Sequence, residues 1–477
     1  MRSGWLVAVV IAALLLVGSP WIVPTLTDAL VPDPSDAPIR RSPLVQGDEV
    51  LLPWMDLSGA PAWISEPPGS IDGCFPPGGP VAGPEGSNVT PAFLNRVAAI
   101  VEELRDLRFI DEVEPQFLEP DEFDERIRSV GEGGSEDDFA ALQDVFAMLG
   151  LLEESRDLKQ IVEDDLTGQI IGFYLPAEKE LYVKAREGGK LSPLEEVTLA
   201  HELEHALADQ VLGLPLEEAA PPMKGDEQAA MRALIEGDAS LLTQHYLFRA
   251  FDIAERSALA GDPAVTAGEP DEIPHFLQRS LTFPYEEGVM FVCELYRRGG
   301  WRAVDAAYLD PPVSTAQIMY PMRYLRNDEP ISVTPLEPPG KGWKRGRPGV
   351  LSAADLLFLF EHPGTGSGEW RGRDDAFELA ALWGGGRLDH WTKDEETVIG
   401  ISLAQHQGYP IAAICPVMTD WYAAARPESV IYASGIQGER VRAREPGQVA
   451  LFLCDAAGMK IAIAPSEKLA LEMIEWD

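Results

Sequence analysis

The chain is 477 residues long and 45% hydrophobic, enough material for one or two buried cores. Its 78 acidic residues against 38 basic ones, spread along the whole length, give a formal charge of −40, which argues against nucleic acid and anionic membrane surfaces as partners. The four cysteines (Cys74, Cys293, Cys415 and Cys454) lack C-x-x-C spacing, so they are not a structural zinc set.

Met1-Arg2 is followed by GWLVAVVIAALLLVGSPWIV, about 20 nearly uncharged residues and enough to cross a bilayer. Residues 1–23 are therefore expected to be a transmembrane anchor or a signal sequence. The anchor is favoured, because Pro20 directly follows Val17-Gly18-Ser19 and spoils a small-x-small cleavage site. The body of the protein would then lie outside the cytoplasm, on the cell membrane or secreted. Residues 24–90 carry PDPSDAP, EPPGS and FPPGGPVAGPEG, a composition that packs no core and reads as a spacer.

Helices begin after the spacer. Thr90 is a capping residue with Pro91 at the first helical position, and Phe93, Val97, Ile100, Val101, Leu104 and Leu107 form the apolar face. A second helix is expected over Asp138–Leu149, capped by Ser135 and stopped at Gly150. Gln169–Tyr174 and Glu180–Val183 then alternate in strand fashion around Pro176-Ala177-Glu178-Lys179, predicting a hairpin.

Next comes LEEVTLAHELEHALADQV, residues 194–211, where His201, Glu202 and His205 spell H-E-x-x-H. Residues four apart share a helix face, so both imidazoles point the same way with Glu202 beside them. Two neutral imidazoles and an adjacent carboxylate are the parts needed to hold Zn²⁺ and activate water. Leu199, Leu203, Ala206 or Leu207, and Val211 supply an apolar stripe. Asp209, four residues past His205, is placed to orient it or to sit as a surface aspartate. A catalytic zinc usually takes three protein ligands. The next helical run, AAMRALIEGDASLLTQHYLF, offers Glu236 as the third, next to small residues that let backbones approach closely. Asp238 is the runner-up or a hydrogen-bond partner of a ligand histidine, and His245 is the remaining candidate.

Pro284–Arg298 and Trp301–Tyr308 read as two helices split by Gly299-Gly300 and ended by Pro311-Pro312. Zinc-dependent peptide hydrolysis calls for a donor to the developing oxyanion, and Tyr285 and Tyr320 are the candidate catalytic hydroxyls. Beyond Gly349 a helix at Leu351–Glu361 leads to a Gly-rich stretch. The strand-like runs VIGISLA, VIYASG, QVALFL and MKIAIA follow, then a last helix from Ser466. Cys415 and Cys454, both in this strand-rich portion, are the first disulfide pair to test, with unlinked buried thiols as the alternative.

The blocks TGQIIGFYLPAEKELYV, VTLAHELEHALADQ and ALIEGDASLL resemble a family of uncharacterised exported bacterial proteins with a zincin-type metallopeptidase site. The similarity runs on through FPYEEGVMFVCELYRRGGW, AVDAAYLDPPVSTAQIMYPMRY and ALWGGGR. It reaches back to VEELRDLRF and AMLGLLEE, covering most of residues 95–390. The resemblance implies a gluzincin arrangement, with His201, His205 and Glu236 as ligands and Glu202 as general base. It also implies that the hairpin aligns an extended peptide by strand addition. Two places depart from the family pattern. Tyr320 stands before Pro321 where a histidine is usual. Trp383-Gly384-Gly385-Gly386-Arg387 replaces GWGGDR and so loses an acidic group.

The expected fold is α+β: a mostly helical zincin-like catalytic domain over residues 91–348, with a short hairpin before the metal helix, and a smaller α+β domain over 349–477. The expected function is an extracytoplasmic zinc-dependent hydrolase, first a metallopeptidase in which zinc-held water, activated by Glu202, attacks an amide carbonyl. The alternatives are an exported binding or scaffold protein that keeps a structural metal site, and a zinc hydrolase acting on another amide. The expected partners are a peptide or protein substrate and, through the N-terminal segment only, a membrane.

Overall fold

The computed structural model describes residues 67–69, 74, 89–131, 136–153, 155–161, 170–184, 191–214, 225–260, 273–346, 349–365, 370–394, 396–409, 413–434, 440–455 and 458–474. The expected N-terminal anchor, most of the spacer, the Ser135 cap and Gln169 lie outside these residues. Among the described residues no helix is long and apolar enough to cross a membrane.

The first half is helical around a small sheet. Helix α1 (Pro91–Arg105) starts as its sequence dictates, with the Thr90 hydroxyl accepting from the Phe93 amide. Strand β1 (Gln116–Leu118), α2 (Pro120–Gly131), α3 (Glu136–Leu149) and the single turn α4 (Leu158–Gln160) lead to the hairpin of β2 (Gly172–Leu175) and β3 (Glu180–Lys184). Lys179 turns this hairpin with φ 58°. The sheet order is β1-β3-β2, so β2 is an edge strand, antiparallel to β3, while β1 pairs with β3 in parallel.

Helix α5 (Pro193–Val211) carries the H-E-x-x-H pattern and is nucleated by a full capping box. Ser192 accepts from the Glu195 amide while the Glu195 carboxylate accepts from the Ser192 amide, and Pro193 fills the first helical position. Every residue from Leu194 to Asp209 is buried, the polar face included. A helix buried all round belongs at the centre of a domain. It packs between the hairpin and α6 (Gly225–Ala250), which is followed by α7 (Ile253–Ala260).

Helix α8 (His275–Gly299) begins nine residues before the start expected at Pro284, which sits in its interior. Phe276 and Phe283 pack edge-on against Phe358, and this tertiary contact holds the first turns in spite of the proline. Helices α9 (Trp301–Leu309), α10 (Thr315–Met319) and α11 (Pro321–Leu325) follow. Where α6 crosses α8, Gly237 lies on the Gly288 backbone and Gly288 lies on Ala233, so neither position leaves space for a Cβ.

The C-terminal portion holds β4 (Lys344–Arg345), α12 (Ala353–Glu361), α13 (Arg373–Ala380), β5 (Trp383–Lys393), β6 (Glu396–Gln405), α14 (Ile414–Ala425), β7 (Val430–Ser434), β8 (Arg440–Glu445), β9 (Gln448–Cys454), β10 (Gly458–Ala464) and α15 (Glu467–Met473). Its seven-stranded sheet is ordered β4-β5-β6-β10-β9-β8-β7, with every neighbouring pair antiparallel. One face joins the main apolar cluster, which runs without interruption from α1, α5 and α6 through α8 and α12 to β6, β10 and α14. The other face is covered by α15 and Leu336. The fold is thus α+β, with packing continuous across residue 349.

Two disulfides are formed. Cys415 and Cys454 are joined with Cα atoms 6.0 Å apart, although Cys415 sits on helix α14 and not in the strand expected for it. Cys74 and Cys293, with Cα atoms 5.7 Å apart, fasten the segment before α1 to α8.

Candidate metal centre

Three side chains from two helices converge. His201 Nε2 lies 3.4 Å from Glu236 Oε2, and His205 Nε2 lies 3.3 Å from the same oxygen. The two imidazoles stand perpendicular with ring centres 4.7 Å apart. One donor atom from each of the three residues falls within 4.8 Å of the others, a group that could hold a metal ion. Helix spacing brings the histidines together, and the glycine crossing below α6 fixes the height of Glu236. All three are deeply buried, at 0%, 2% and 1% exposure for His201, His205 and Glu236.

The tautomer of His201 follows from its neighbours. Thr243, seven residues beyond Glu236 on the same face of α6, donates its only hydroxyl proton to the Ala239 carbonyl at 2.7 Å. It therefore accepts from His201 Nδ1 at 3.1 Å, which leaves the Nε2 lone pair facing Glu236. Burial then lowers the His201 pKa and keeps the ring neutral. Thr243→Val is expected to weaken divalent-metal binding roughly 10- to 100-fold, the usual cost of losing a ligand's supporting partner. Competition against a chromophoric chelator measures it, and an unchanged affinity would remove Thr243 from this role.

Charge is concentrated at the cluster. Burial pushes the His205 pKa down, but Glu236, Glu202 and Glu204 outweigh it and hold the value at about 9. For Glu236, burial pushes up and is overcome by His205 and His201, which bring it down to about 2. Glu202 is raised to about 8, first by burial and further by Glu236, against the pull of His205 and the Tyr174 backbone amide. Neither Glu202 oxygen closes a well-formed hydrogen bond, and neither does either ring nitrogen of His205. Such unpaired buried groups each cost on the order of 1–3 kcal/mol, and a coordinated cation with its water is the chemistry that would satisfy them. The donor set of two imidazoles and a carboxylate fits such an ion.

The hairpin reaches this site through Gly172, where an added Cβ would stand 2.6 Å from Thr198 Cγ2 and 3.3 Å from Glu202 Cγ. Because Lys184 N–H bonds the Ile171 carbonyl, the alternation of the pair leaves Gly172 and Tyr174 with their backbone groups on the outer edge of β2. Tyr285 of α8 completes the surroundings, its ring centre 6.3 Å from that of His201. Burial, with the charges of Glu236 and Glu202, raises its pKa well above the ordinary phenol value, so its hydroxyl stays a proton donor.

The other candidates are placed elsewhere. Tyr320 is buried in the core with its ring against Phe377 and its hydroxyl donated to the Phe377 carbonyl, so it offers no donor to the cluster. Asp238 is not a ligand: both its oxygens accept from Arg105, at 3.0 and 2.9 Å, and Oδ2 also accepts from Tyr308. Arg105 stacks over Trp301 and is also paired with Glu204 and Asp305. Glu204, pushed up by burial and by Asp238, lies 3.9 Å from His205 Nδ1. His245 bonds the Cys74 carbonyl at 2.6 Å and packs against Tyr296 and Trp301, away from the cluster. Asp209 does not orient His205; it accepts from Tyr174 Oη at 2.7 Å and from Lys179, tying the hairpin to α5.

Thr243 and Gly172 are the contributors that the motif alone does not reveal. No family model, curated protein or solved structure matches the chain, and its chemistry is read from this geometry.

Proposed function

We propose that the protein is a zinc-dependent hydrolase, a peptidase first, with a zincin-like core and an extracytoplasmic body. The observation that carries this reading is the meeting of His201 Nε2, His205 Nε2 and Glu236 Oε2 beside the buried carboxylate of Glu202, which no side chain pairs. Three protein donors with a base next to them are the composition of a catalytic zinc site, whereas a structural site is closed by four. Zinc bound there would polarise a carbonyl and make water acidic enough to ionise near neutral pH.

The protein's own groups then have distinct roles. Glu202, its pKa raised toward neutrality, takes a proton from water attacking an amide carbonyl and hands it to the leaving amine. Tyr285 keeps its proton and donates to the oxyanion as it develops. The outer edge of β2 offers the backbone of Gly172 to an extended peptide, while the Tyr174 amide on the same edge is directed at Glu202. Two disulfides support an oxidising compartment.

Full burial of the cluster favours a second reading, a metal kept for structure in a scaffold protein. Metal analysis and a peptide-library screen separate the two. A hydrolase retains stoichiometric zinc, cleaves peptides, loses this activity to a chelator and regains it with added zinc. Zinc retained without any cleavage would leave the scaffold, and no retained zinc would end both.

A further inference from the structure

We propose that Arg232 is the subsite that receives a carboxylate of the substrate, an inference that rests on the hydrolase reading and names the class of substrate. Arg232 lies on α6 four residues before Glu236, hence one turn along the same face, the face that also carries Thr243 to His201. Its positive charge is felt at Tyr285, whose ring neighbours His201. The cluster itself is buried, but Arg232 is only half-buried, together with Gln228 and Ala229 on the same end of the helix. Along this face burial falls from Glu236 through Arg232 and Gln228 to the exposed Gly225.

Arg232 is also a cation left over. Acidic residues outnumber basic ones two to one in this chain, 78 to 38, and the fully buried arginines among the described residues are engaged: Arg105 with Asp238, Arg279 with Glu287 and Glu361, and Arg323 with the carbonyls of Ala381 and Trp383. Arg232 makes no hydrogen bond or ion pair with the described residues. A divalent ion at the cluster would be balanced by the two negative charges of Glu236 and Glu202, so the arginine would not be needed to neutralise the site. A guanidinium beside a charge-balanced centre selects an anion, and its planar fork matches a carboxylate by two parallel hydrogen bonds. The carboxylate has two sources in a peptide, the chain terminus and an internal Asp or Glu side chain.

The test is binding, measured by titration calorimetry on the zinc-loaded full chain carrying Glu202→Gln, so that no turnover intervenes. The probes are acetylated tripeptides in two matched pairs: a free C-terminal acid against its amide, and an internal Glu against Gln in an amidated peptide. One acid probe is expected to bind about 10- to 100-fold more tightly than its neutral twin, the range of a charge-assisted pair. Which pair shows the difference identifies the terminal or the internal carboxylate. Adding Arg232→Gln should abolish the difference, and Arg232→Lys should keep part of it, since the charge remains and the fork is lost. Equal affinities, no binding by any probe, or a preference that survives Arg232→Gln would each overturn the proposal. A preference that holds while the unsubstituted chain cleaves nothing would sink the hydrolase reading and leave the carboxylate site in place.

Discussion

Under the proposed hydrolase function, a chain carrying Glu202→Gln is expected to lose roughly 10²- to 10⁴-fold in peptide hydrolysis, the span that general acid–base catalysis contributes, and to keep its full zinc content. The split follows from position. Glu202 is completely buried next to the cluster, yet its oxygens are not among the three atoms that converge. Glutamine nearly preserves the shape but cannot take a proton, so binding of the metal survives while proton transfer fails. Fluorogenic-peptide turnover and metal emission analysis on the same sample report the two quantities. Turnover that persists would remove Glu202 as the base. Zinc lost with turnover would place Glu202 among the ligands.

Gly237→Ala is expected to be strongly destabilising, against the usual sign of such a change in a helix. Replacing an interior helical glycine by alanine ordinarily stabilises by about 0.5–1 kcal/mol. Here the added methyl would be driven into the Gly288 carbonyl group on α8, and backbone cannot rotate aside as a side chain can. Overpacking of this kind costs about 1–3 kcal/mol or more and wins. Gly288→Ala should do the same from the other side, against Ala233. Because both methyls force open one crossing, the double variant should lose less than the sum of the singles. The same movement would carry Tyr285 away from Glu236, so zinc affinity should fall together with the thermal midpoint. Circular-dichroism melting and chelator competition check this; a midpoint raised by Gly237→Ala would mean that the helices are farther apart.

The parts of the site that were legible in the sequence share one helix face. His201 and His205 are four apart, a spacing that a helix aligns, whereas Thr243, seven beyond Glu236 on α6, carries no motif of its own and emerges only from the structure. Asp238 was harder. Its two oxygens are claimed by Arg105, 133 residues earlier, a partner that no local pattern names. Tyr320 illustrates the same limit, since its hydroxyl is taken up by a carbonyl of α13. In the C-terminal portion the alternation of β9 and β10 was plain. Strand β5 was not, because Gly384, Gly385 and Gly386 have little strand preference. Those glycines are required by neighbours: at Gly385 the Ile331 backbone crosses the sheet, and at Gly386 the Leu351 carbonyl does. Helix α14 shows Ile414, Val417, Met418, Trp421 and Tyr422 at helical spacing, but its β-rich surroundings draw the reading toward strand.

The bond between Cys74 and Cys293 closes a covalent ring, 219 residues in sequence separation, that encloses α1, the hairpin, the two helices of the His201–His205–Glu236 cluster and most of α8. A protease that nicks any exposed turn inside this ring produces two polypeptides still tied to each other. A cut upstream of Cys74 parts the preceding residues from the body, whereas a nick between Cys74 and Cys293 separates nothing until the sulfur bridge is reduced. Detachment of the N-terminal residues is therefore governed by where the cut falls relative to a single cysteine.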